Sequence, residues 1–398
     1  INKIREYTLN PSSGIWKQKI MLTADDYRKI NSTASSEMRH TEYSEDLYEI
    51  VKNNAIVETY YGSEYEPVSG EGWITLPELT SDIIEGLNQG AAVINYIGHG
   101  TYNVIGDEKI LVKDRDLPLI NPDQNKNAIW VIGTCSFGHY DGEESMPETL
   151  LNNPNGAIGI ITTSREVYTG TNIQFLRKIF EQIKDHLIGE NNHRLGDIQF
   201  YAKTNSNSST YSLFHLFGDP AMKLPFFIKD DFINSEDHSI VQLVPENLDL
   251  SISNSSQSYI TINKNEYYNE IIADGLSYSI LHPGQQIYNN QLNSNPSFLL
   301  PIDAPTCESC LQINIFSENE NGVNTFDYSP NWSLNENTNT LEDDSGPNIS
   351  IFHNDFIINS GDMINIPANI VIQFQDNFGI NTFSGLGHEI TYKLNDNE

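Results

Sequence analysis

The chain has 398 residues, a formal net charge of −32 at pH 7 and a sequence pI near 4.4. This acidity argues against nucleic acid or an anionic membrane surface as a partner, because either would repel the chain. No apolar stretch reaches the roughly 18 residues that a membrane-spanning helix needs. The length allows two or three domains. Because the chain begins at Ile1 and stops in a polar run, we expect a piece of a longer protein.

The first part of the chain alternates strand-like runs with helix-like segments. The run Gly14–Asp26 (GIWKQKIMLTADD) predicts a strand that ends in two aspartates. Helices are predicted over four segments, Ser44–Lys52, Leu76–Gln89, Met146–Leu151 and Asn172–Ile188. This alternation is typical of a largely parallel α/β sheet.

Two further strands each end in a reactive side chain. Ala91–Gly100 (AAVINYIGHG) carries His99 near its end, and Ala128–Gly138 (AIWVIGTCSFG) carries Cys135. Both are short apolar, β-branched runs of the kind that parallel sheets bury on both faces. Parallel strands present their carboxyl ends at one edge, and neighbours lie roughly 5 Å apart. A thiol and an imidazole at adjacent strand ends could therefore form a cysteine nucleophile and its base.

The residues alone leave other interpretations of this pair open. Cys135 could equally be an inert buried thiol, with His99 a turn residue between two glycines. His139 lies in the loop after Cys135 and is a rival base, but a neighbour in the same loop is less well placed to face the thiol than a residue on an adjacent strand. Cys307 and Cys310 (CESC) predict either a local disulfide or two free thiols, since a redox motif would need a βαβ context.

From Lys229 onward the sequence becomes rich in asparagine and serine. Short alternating runs then predict antiparallel β structure, at Leu248–Ile252, Tyr259–Ile262 and Leu311–Phe316. A polar linker, Asn335–Pro347, precedes another β segment. We therefore predict a catalytic domain over 1–228, a β-sandwich domain over 229–341 and the start of a further, truncated β domain over 342–398.

Four motifs in order resemble the gingipain-type cysteine peptidases. They are NYIGHGT (Asn95–Thr101), GTCSFG (Gly133–Gly138), Ser145–Tyr168 (SMPETLLNNPNGAIGIITTSREVY) and LFGDPAMKLP (Leu216–Pro225). The resemblance implies a caspase-like α/β fold followed by an immunoglobulin-like module. It also implies that Cys135 is the nucleophile, that His99 is the general base and acid, and that the N–H groups of Gly100 and Cys135 form the oxyanion hole.

The resemblance also implies a third catalytic group and a substrate pocket. In this family an acid at the end of an earlier strand orients the imidazole, which points to Asp25 or Asp26. Glu37 lies near the family position for a buried acid in the primary pocket, although an ordinary helix-entry glutamate is the alternative. The pocket wall is expected from the loop after GAIGIITTS, at Arg165, Val167 and Tyr168. A Val–Tyr wall favours small or apolar contacts.

No cofactor is required for this chemistry. Structural calcium is a separate question, because Asp141, Glu143 and Glu144 offer oxygen ligands in the loop DGEE. The same loop could be a solvated acidic surface, which we favour.

The segment Pro347–Asp396, with FQDNFGIN and GLGHEI, is similar to the C-terminal region of the type IX secretion sortases of Bacteroidota. This similarity implies an enzyme of the outer-membrane cell surface that works with other secretion components. It would cleave the C-terminal sorting domain from protein cargo and transfer the cargo to an amine of anionic lipopolysaccharide. The alternatives are a secreted peptidase that only hydrolyses and a catalytically inactive cell-surface binding scaffold.

Overall fold

The structure is a computed structural model of the chain, and it divides into two compact units. The residues that it describes are 2–10, 12–29, 31–70, 74–122, 125–206, 209–234, 238–251, 255–292, 297–301, 304–319, 324–338, 346–353, 356–363 and 370–376. The first unit comprises Ile1–Asp230, Glu266–Pro283 and Asn321–Phe326; the second comprises Asp231–Asn265, Gly284–Glu320 and Asp327–Glu398. The first unit thus extends close to the boundary predicted at 228, but it also takes in a later segment that we predicted for the sandwich.

The first unit alternates strands and helices. Its strands up to residue 229 are β1 (Lys19–Ala24), β2 (Ile56–Tyr61), β3 (Val68–Ser69), β4 (Ile74–Thr75), β5 (Val93–Ile97), β6 (Val104–Ile105), β7 (Leu111–Val112), β8 (Ile129–Gly133), β9 (Gly159–Thr163), β10 (Phe214–Gly218) and β11 (Ile228–Lys229). Its α-helices are α1 (Asn2–Leu9), α2 (Ala34–Glu37), α3 (Arg39–Val51), α4 (Pro77–Gln89), α5 (Lys113–Asp116), α6 (Met146–Asn152), α7 (Thr169–Leu187) and α8 (Leu195–Thr204). Short 3-10 helices lie at Ile15–Gln18, Gly62–Glu64, Leu117–Leu119 and Ser209–Leu213.

A six-stranded sheet in the order β10-β9-β8-β5-β1-β2 forms the centre of this unit. All its neighbouring pairs are parallel except β10 with β9, which confirms the predicted largely parallel sheet. Every residue of β5, β8 and β9 is buried. Because side chains alternate across a strand, Val93 and Ile97 pack into one apolar core while Ile94 and Tyr96 pack into the other. Helices therefore cover both faces of the sheet.

The four predicted helices all exist; the one predicted from Met146 begins there, and the other three have shifted starts. The segment predicted from Ser44 begins at Arg39, and the one predicted from Asn172 begins at Thr169. Both starts are polar, so apolar periodicity gave no signal there. Of the described residues, no helix has both the length and the apolar character needed to cross a membrane.

The later strands are mostly antiparallel. They are β12 (Ser239–Val241), β13 (Glu246–Asn247), β14 (Ser255–Lys264), β15 (Tyr267–Ala273), β16 (Leu276–His282), β17 (Gln286–Leu292), β18 (Ser297–Phe298), β19 (Cys307–Asn319), β20 (Asn324–Asn335), β21 (Asn348–His353), β22 (Phe356–Ile357) and β23 (Ile370–Gln375). In the second unit β14 pairs antiparallel with β17 and β19 over a core that includes Ile260, Ile313 and Trp332. Cys307 and Cys310 form a disulfide, which settles the choice that the sequence left open.

The C-terminal β segment is described only in part. Strands β22, β21 and β23 form a small sheet in that order. Residues 377–398, which carry most of FQDNFGIN and all of GLGHEI, lie outside the described residues.

Candidate active site

Three neighbouring strands bring Asp25, His99 and Cys135 to one edge of the sheet. In the register Ala24 pairs with Ile97, and Ile97 pairs with Gly133. The backbone continues this alignment past the strand ends, because the Asp25 N–H donates to the Ile97 carbonyl at 3.0 Å and the Gly98 N–H donates to the Gly133 carbonyl at 3.3 Å. His99 and Cys135 each follow a paired residue by two positions. The register therefore brings the segments that carry Asp25, His99 and Cys135 to the same edge of the sheet, with the His99 segment in the middle.

Position 98 has room only for glycine, because a side chain there would clash with two neighbours. A Cβ at this position would lie 2.4 Å from the Asp25 Cβ and 2.3 Å from the Tyr96 hydroxyl oxygen. Both distances are shorter than van der Waals contact. Any larger residue would push apart the two strands whose ends carry Asp25 and His99.

Both ring nitrogens of His99 contact charged side chains. Nδ1 lies 3.0 Å from the Lys29 ammonium, and Nε2 lies 2.8 Å from Glu37 Oε2. An ammonium can only donate, so Nδ1 must be the accepting nitrogen and the ring proton belongs on Nε2, where it is donated to Glu37. The contact with Glu37 fixes the tautomer of the imidazole.

Glu37 is well placed to hold the imidazole. It ends α2, is only 5% exposed, and also accepts a hydrogen bond from the Ser32 hydroxyl. Burial raises the pKa of the Glu37 carboxyl, but the hydrogen bonds from Ser32 and His99 and the charges of His99 and His40 outweigh it and leave the pKa below its usual value. The carboxylate form is therefore favoured. The sequence pointed to Glu37 for the substrate pocket; the structure places it on the imidazole.

The aspartates contact different groups from those that we expected. Asp25 Oδ2 accepts the backbone N–H of His99 at 2.7 Å rather than a ring N–H. Asp26 forms an ion pair with Arg28 at 2.8 Å. The reason is the register, which sets Asp25 directly beside the backbone of Gly98 and His99, while Asp26 turns toward the following loop. Neither aspartate therefore makes the predicted hydrogen bond to the ring.

His40, one turn after Glu37, packs against His99. The two ring centroids are 5.0 Å apart and nearly perpendicular. Burial, helped by the charge of His99, lowers the pKa of His40 to about 4. His40 is thus neutral at physiological pH and acts as an uncharged wall behind the imidazole. The sequence analysis did not single out His40 or Lys29. His40 lies in α3 and Lys29 in the loop after β1, and only the folded chain brings these two segments to His99.

Cys135 is the free cysteine of the chain and is partly exposed. Its Sγ lies 3.5 Å from the Val167 carbonyl oxygen. The next residue, Ser136, has a positive φ of 54°, and its N–H donates to the Arg165 carbonyl at 3.1 Å. This tight turn presents the thiol at the end of β8, opposite the loop that follows β9.

That loop contains the three predicted wall residues. Arg165 forms an ion pair with Asp141, in the loop after the thiol, at 2.5 Å. Val167 touches the sulfur through its carbonyl, whereas the Tyr168 residue is 82% exposed. Among the described residues, neither the Gly100 N–H nor the Cys135 N–H donates a hydrogen bond to another protein group. The oxyanion role of these two N–H groups stays a prediction.

The acidic loop is tied to the protein by its own contacts. Glu143 accepts a hydrogen bond from the Tyr102 hydroxyl at 2.8 Å, and the Glu144 carbonyl accepts one from Lys113 at 2.7 Å. His139 lies 3.4 Å from Asp141. In the part of the chain that the structure describes, the carboxylate and histidine clusters with metal-like spacing lie around Asp25 instead. Calcium at the acidic loop stays a prediction.

Beneath His99, Asp25, Asp26 and Glu108 form a buried carboxyl cluster, with one oxygen of each within 4.8 Å of the others. Burial, together with the charges of Asp26 and Asp107, raises the pKa of Glu108 to about 7. Burial, followed by the charge of Glu108, also raises the pKa of Asp25 well above its usual value. Asp25 and Glu108 therefore retain protons at pH values where exposed carboxyls have lost them.

We predict that Glu108→Gln changes the pH dependence of stability. Between about pH 4.5 and pH 7 the folded wild type holds a proton that the unfolded chain has lost, so its free energy of unfolding falls as pH rises. Glutamine stays neutral and avoids this loss. Thermal unfolding should show a difference in Tm, variant minus wild type, that is more positive at pH 8 than at pH 5. Glu166→Gln, at an exposed position, is the control; an equal difference at both pH values for Glu108→Gln would contradict the prediction.

Comparison with known proteins agrees with this geometry. The model of peptidase family C25 matches residues 1–225. The chain is similar to the crystal structure of the Arg-specific cysteine proteinase gingipain R (RgpB), with 11% identity, a TM-score of 0.45 and coverage of 84% of this chain and 71% of that one. It is also similar to dimeric latent PorU from Porphyromonas gingivalis, with 20% identity and a TM-score of 0.30, over 59% of this chain and 25% of that one. No curated protein matched. The family match covers more than half of the chain, and the protein therefore belongs to the cysteine peptidases of family C25.

Proposed function

We propose that Cys135 is the nucleophile of this peptidase, that His99 is its base and acid, and that Glu37 orients the imidazole. The observation that supports the proposal is the register of β5 with β8, which brings the segments that carry His99 and Cys135 to one edge of the sheet, together with the Nε2 contact to Glu37. Nδ1 is then the nitrogen that serves the thiol. Asp25 has a supporting part, because it holds the backbone N–H of His99.

The reaction follows from these positions. The thiol proton passes to His99, and Sγ attacks the scissile carbonyl carbon, so that a C–S bond forms and the carbonyl electrons move to oxygen. The N–H groups of Gly100 and Cys135 stabilise this oxyanion. When the intermediate collapses, the C–N bond breaks, His99 returns the proton to the leaving amine, and a thioester on Cys135 remains. Glu37 stabilises the imidazolium that exists between these two proton transfers.

The thioester has two outcomes. If an acceptor amine attacks it, a new amide forms, the C–S bond breaks and the thiol is restored; if water attacks, the product is a carboxylic acid. We favour transfer, in which the protein removes the C-terminal sorting signal from exported cargo and joins the cargo to an amine of anionic lipopolysaccharide at the outer-membrane surface. The support is the similarity of Pro347–Asp396 to type IX secretion sortases. Hydrolysis alone is the alternative function.

Lys29 must move before His99 can accept the thiol proton. Its ammonium contacts Nδ1, whereas Glu37 on Nε2 is nearly fully buried and bound to Ser32. Lys29 is partly exposed and has a second partner, Asp107, at 3.1 Å. Of the two partners of the ring, Lys29 is therefore the one that can leave. We propose that substrate entry displaces it toward Asp107.

Substrate selection is proposed to involve the loop after β9. Arg165 is paired with Asp141, which leaves Val167 and Tyr168 to provide the apolar wall beside the thiol. An exposed tyrosine next to the nucleophile can close over a small or apolar side chain of the substrate.

The first test measures the activation of Cys135. Because the other two cysteines form a disulfide, iodoacetamide labels Cys135 selectively. We expect alkylation of Cys135 to be fast at neutral pH in the wild type, and the rate–pH profile of His99→Ala to move to higher pH, because the imidazole no longer favours the thiolate. Glu37→Gln should give an intermediate profile and lower peptide cleavage by roughly 10- to 100-fold, since the ring loses its charged partner. Glu42→Gln, on the adjacent helix α3, is the control. A wild-type profile in His99→Ala would remove the proposed active site.

A second test concerns Lys29. Lys29→Met frees Nδ1 and should raise the labelling rate of Cys135 at pH 7 several-fold. Lys113→Met is the matched control, because Lys113 lies in the same region but donates to the Glu144 carbonyl. An unchanged or lower rate in Lys29→Met would show that Lys29 does not mask the imidazole.

The third test addresses the biological reaction. In cells that depend on the complete protein, Cys135→Ala should leave cargo with its sorting signal attached and without glycolipid, because both products pass through the same thioester. Mass spectrometry of cargo C termini distinguishes the alternatives. Cargo that is cleaved but unconjugated in the wild type would indicate a hydrolase, and termini unchanged by Cys135→Ala would support an inactive scaffold.

A further inference from the structure

A β-hairpin from a later part of the sequence packs against the active-site side of the first unit. Strands β15 and β16 pair antiparallel from Tyr267–His282 to Ala273–Leu276. In the chain they lie between β14 and β17, which belong to the second unit, but the hairpin itself belongs to the first. Its two-residue tip, Asp274 and Gly275, has positive φ at both positions, as a tight type I′ turn requires.

The apolar face of the hairpin completes a small core directly below the active site. Ile280 is 1% exposed and packs with Ala24, Met38 and Tyr61. Ala24 immediately precedes Asp25, and Met38 immediately follows Glu37. The hairpin therefore supports the backbone on both sides of His99.

Polar contacts fix the base of the hairpin. Glu266 accepts a hydrogen bond from the Tyr48 hydroxyl at 2.7 Å. The two ring nitrogens of His282 contact the Thr59 hydroxyl and a Glu64 carboxylate oxygen, each at 2.9 Å. His282 is buried, so these contacts replace hydrogen bonds that water would otherwise make. They hold the hairpin in one position against β2 and α3.

The tip reaches the helix that carries Glu37. Asp274 Oδ2 accepts the backbone N–H of Ala34, the first residue of α2, at 2.8 Å. The helix is a single turn, and Glu37 is its last residue. With so few internal hydrogen bonds, the position of this turn depends strongly on its external contacts.

We propose that the hairpin positions the catalytic histidine, with Asp274 as a positioning residue that acts through α2 and Glu37. Two contacts joined by one helical turn carry the effect: Asp274 binds Ala34, the turn runs from Ala34 to Glu37, and Glu37 binds Nε2 of His99. The proposal rests on the proposed roles of His99 and Glu37. It assigns a catalytic contribution to a segment that lies beyond the predicted peptidase domain.

Two substitutions separate this role from simple folding stability. Asp274→Ala leaves the Ala34 N–H without its side-chain acceptor and loosens the turn that presents Glu37. Asp274→Asn keeps an oxygen at the same place and should restore the contact. Glu270→Ala is the matched control, because Glu270 lies on the same hairpin and accepts a hydrogen bond from Ser277 within it.

The experiment measures Cys135 alkylation by iodoacetamide and peptide cleavage, both across pH, in the complete protein. Asp274→Ala should lower kcat about three- to tenfold with little change in KM, and should move the alkylation profile toward that of Glu37→Gln. Asp274→Asn and Glu270→Ala should match the wild type. Adding Asp274→Ala to Glu37→Gln should lower kcat little further, since both substitutions act on the contact between Glu37 and His99.

The outcomes are distinguishable. If Asp274→Ala matches the wild type while His99→Ala shifts the profile, the hairpin proposal fails and the proposed function stands. If Asp274→Asn is impaired as much as Asp274→Ala, or if Asp274→Ala and Glu37→Gln are additive, the hairpin proposal also fails. If His99→Ala has a wild-type profile, the proposed function and the hairpin proposal fail together.

Discussion

The candidate active site depends on how His99 is held at two points, its backbone and its ring. Its backbone N–H is bound by Asp25, just after β1, and its ring is bound through Nε2 by Glu37 at the end of α2. Parallel pairing of β5 with β8 brings the segment that carries Cys135 to the same edge of the sheet. Gly98 allows the strands to approach closely enough for these contacts. If any of these constraints is removed, the imidazole loses either its place or its preferred tautomer.

The two acids below and beside His99 have different electrostatic roles. Burial, followed by the charge of Glu108, raises the pKa of Asp25 well above its usual value, and its hydrogen bond to a neutral backbone N–H does not require a charge. Glu37 is buried but receives hydrogen bonds from Ser32 and His99, which favour its ionised form. Only Glu37 is therefore suited to stabilise an imidazolium. Burial alone would not distinguish these two carboxyls; their hydrogen-bond partners do.

Much of the fold and part of the site could be predicted from sequence. Continuous apolar runs marked β5 and β8, and their parallel arrangement brought His99 and Cys135 to one edge. The third group was harder, because Asp25 and Glu37 both follow the pattern of an acid upstream of the histidine, and only the register shows that Asp25 meets the backbone. The packing of the hairpin could not be predicted from local pattern. Asp274–Gly275 is a turn signal, but Tyr267–Ala273 (YYNEIIA) has no regular alternation of apolar and polar residues, and nothing in it tells which unit the hairpin joins.

The most direct measurement of the central claim is nitrogen NMR of histidine-labelled protein, with the His99 signals assigned from a His99→Gln spectrum. We expect a proton on Nε2 of His99, shifted downfield by its hydrogen bond to Glu37. In Glu37→Gln the downfield signal should disappear. A ring protonated on Nδ1, or an Nε2 proton that is unaffected by Glu37→Gln, would contradict the account.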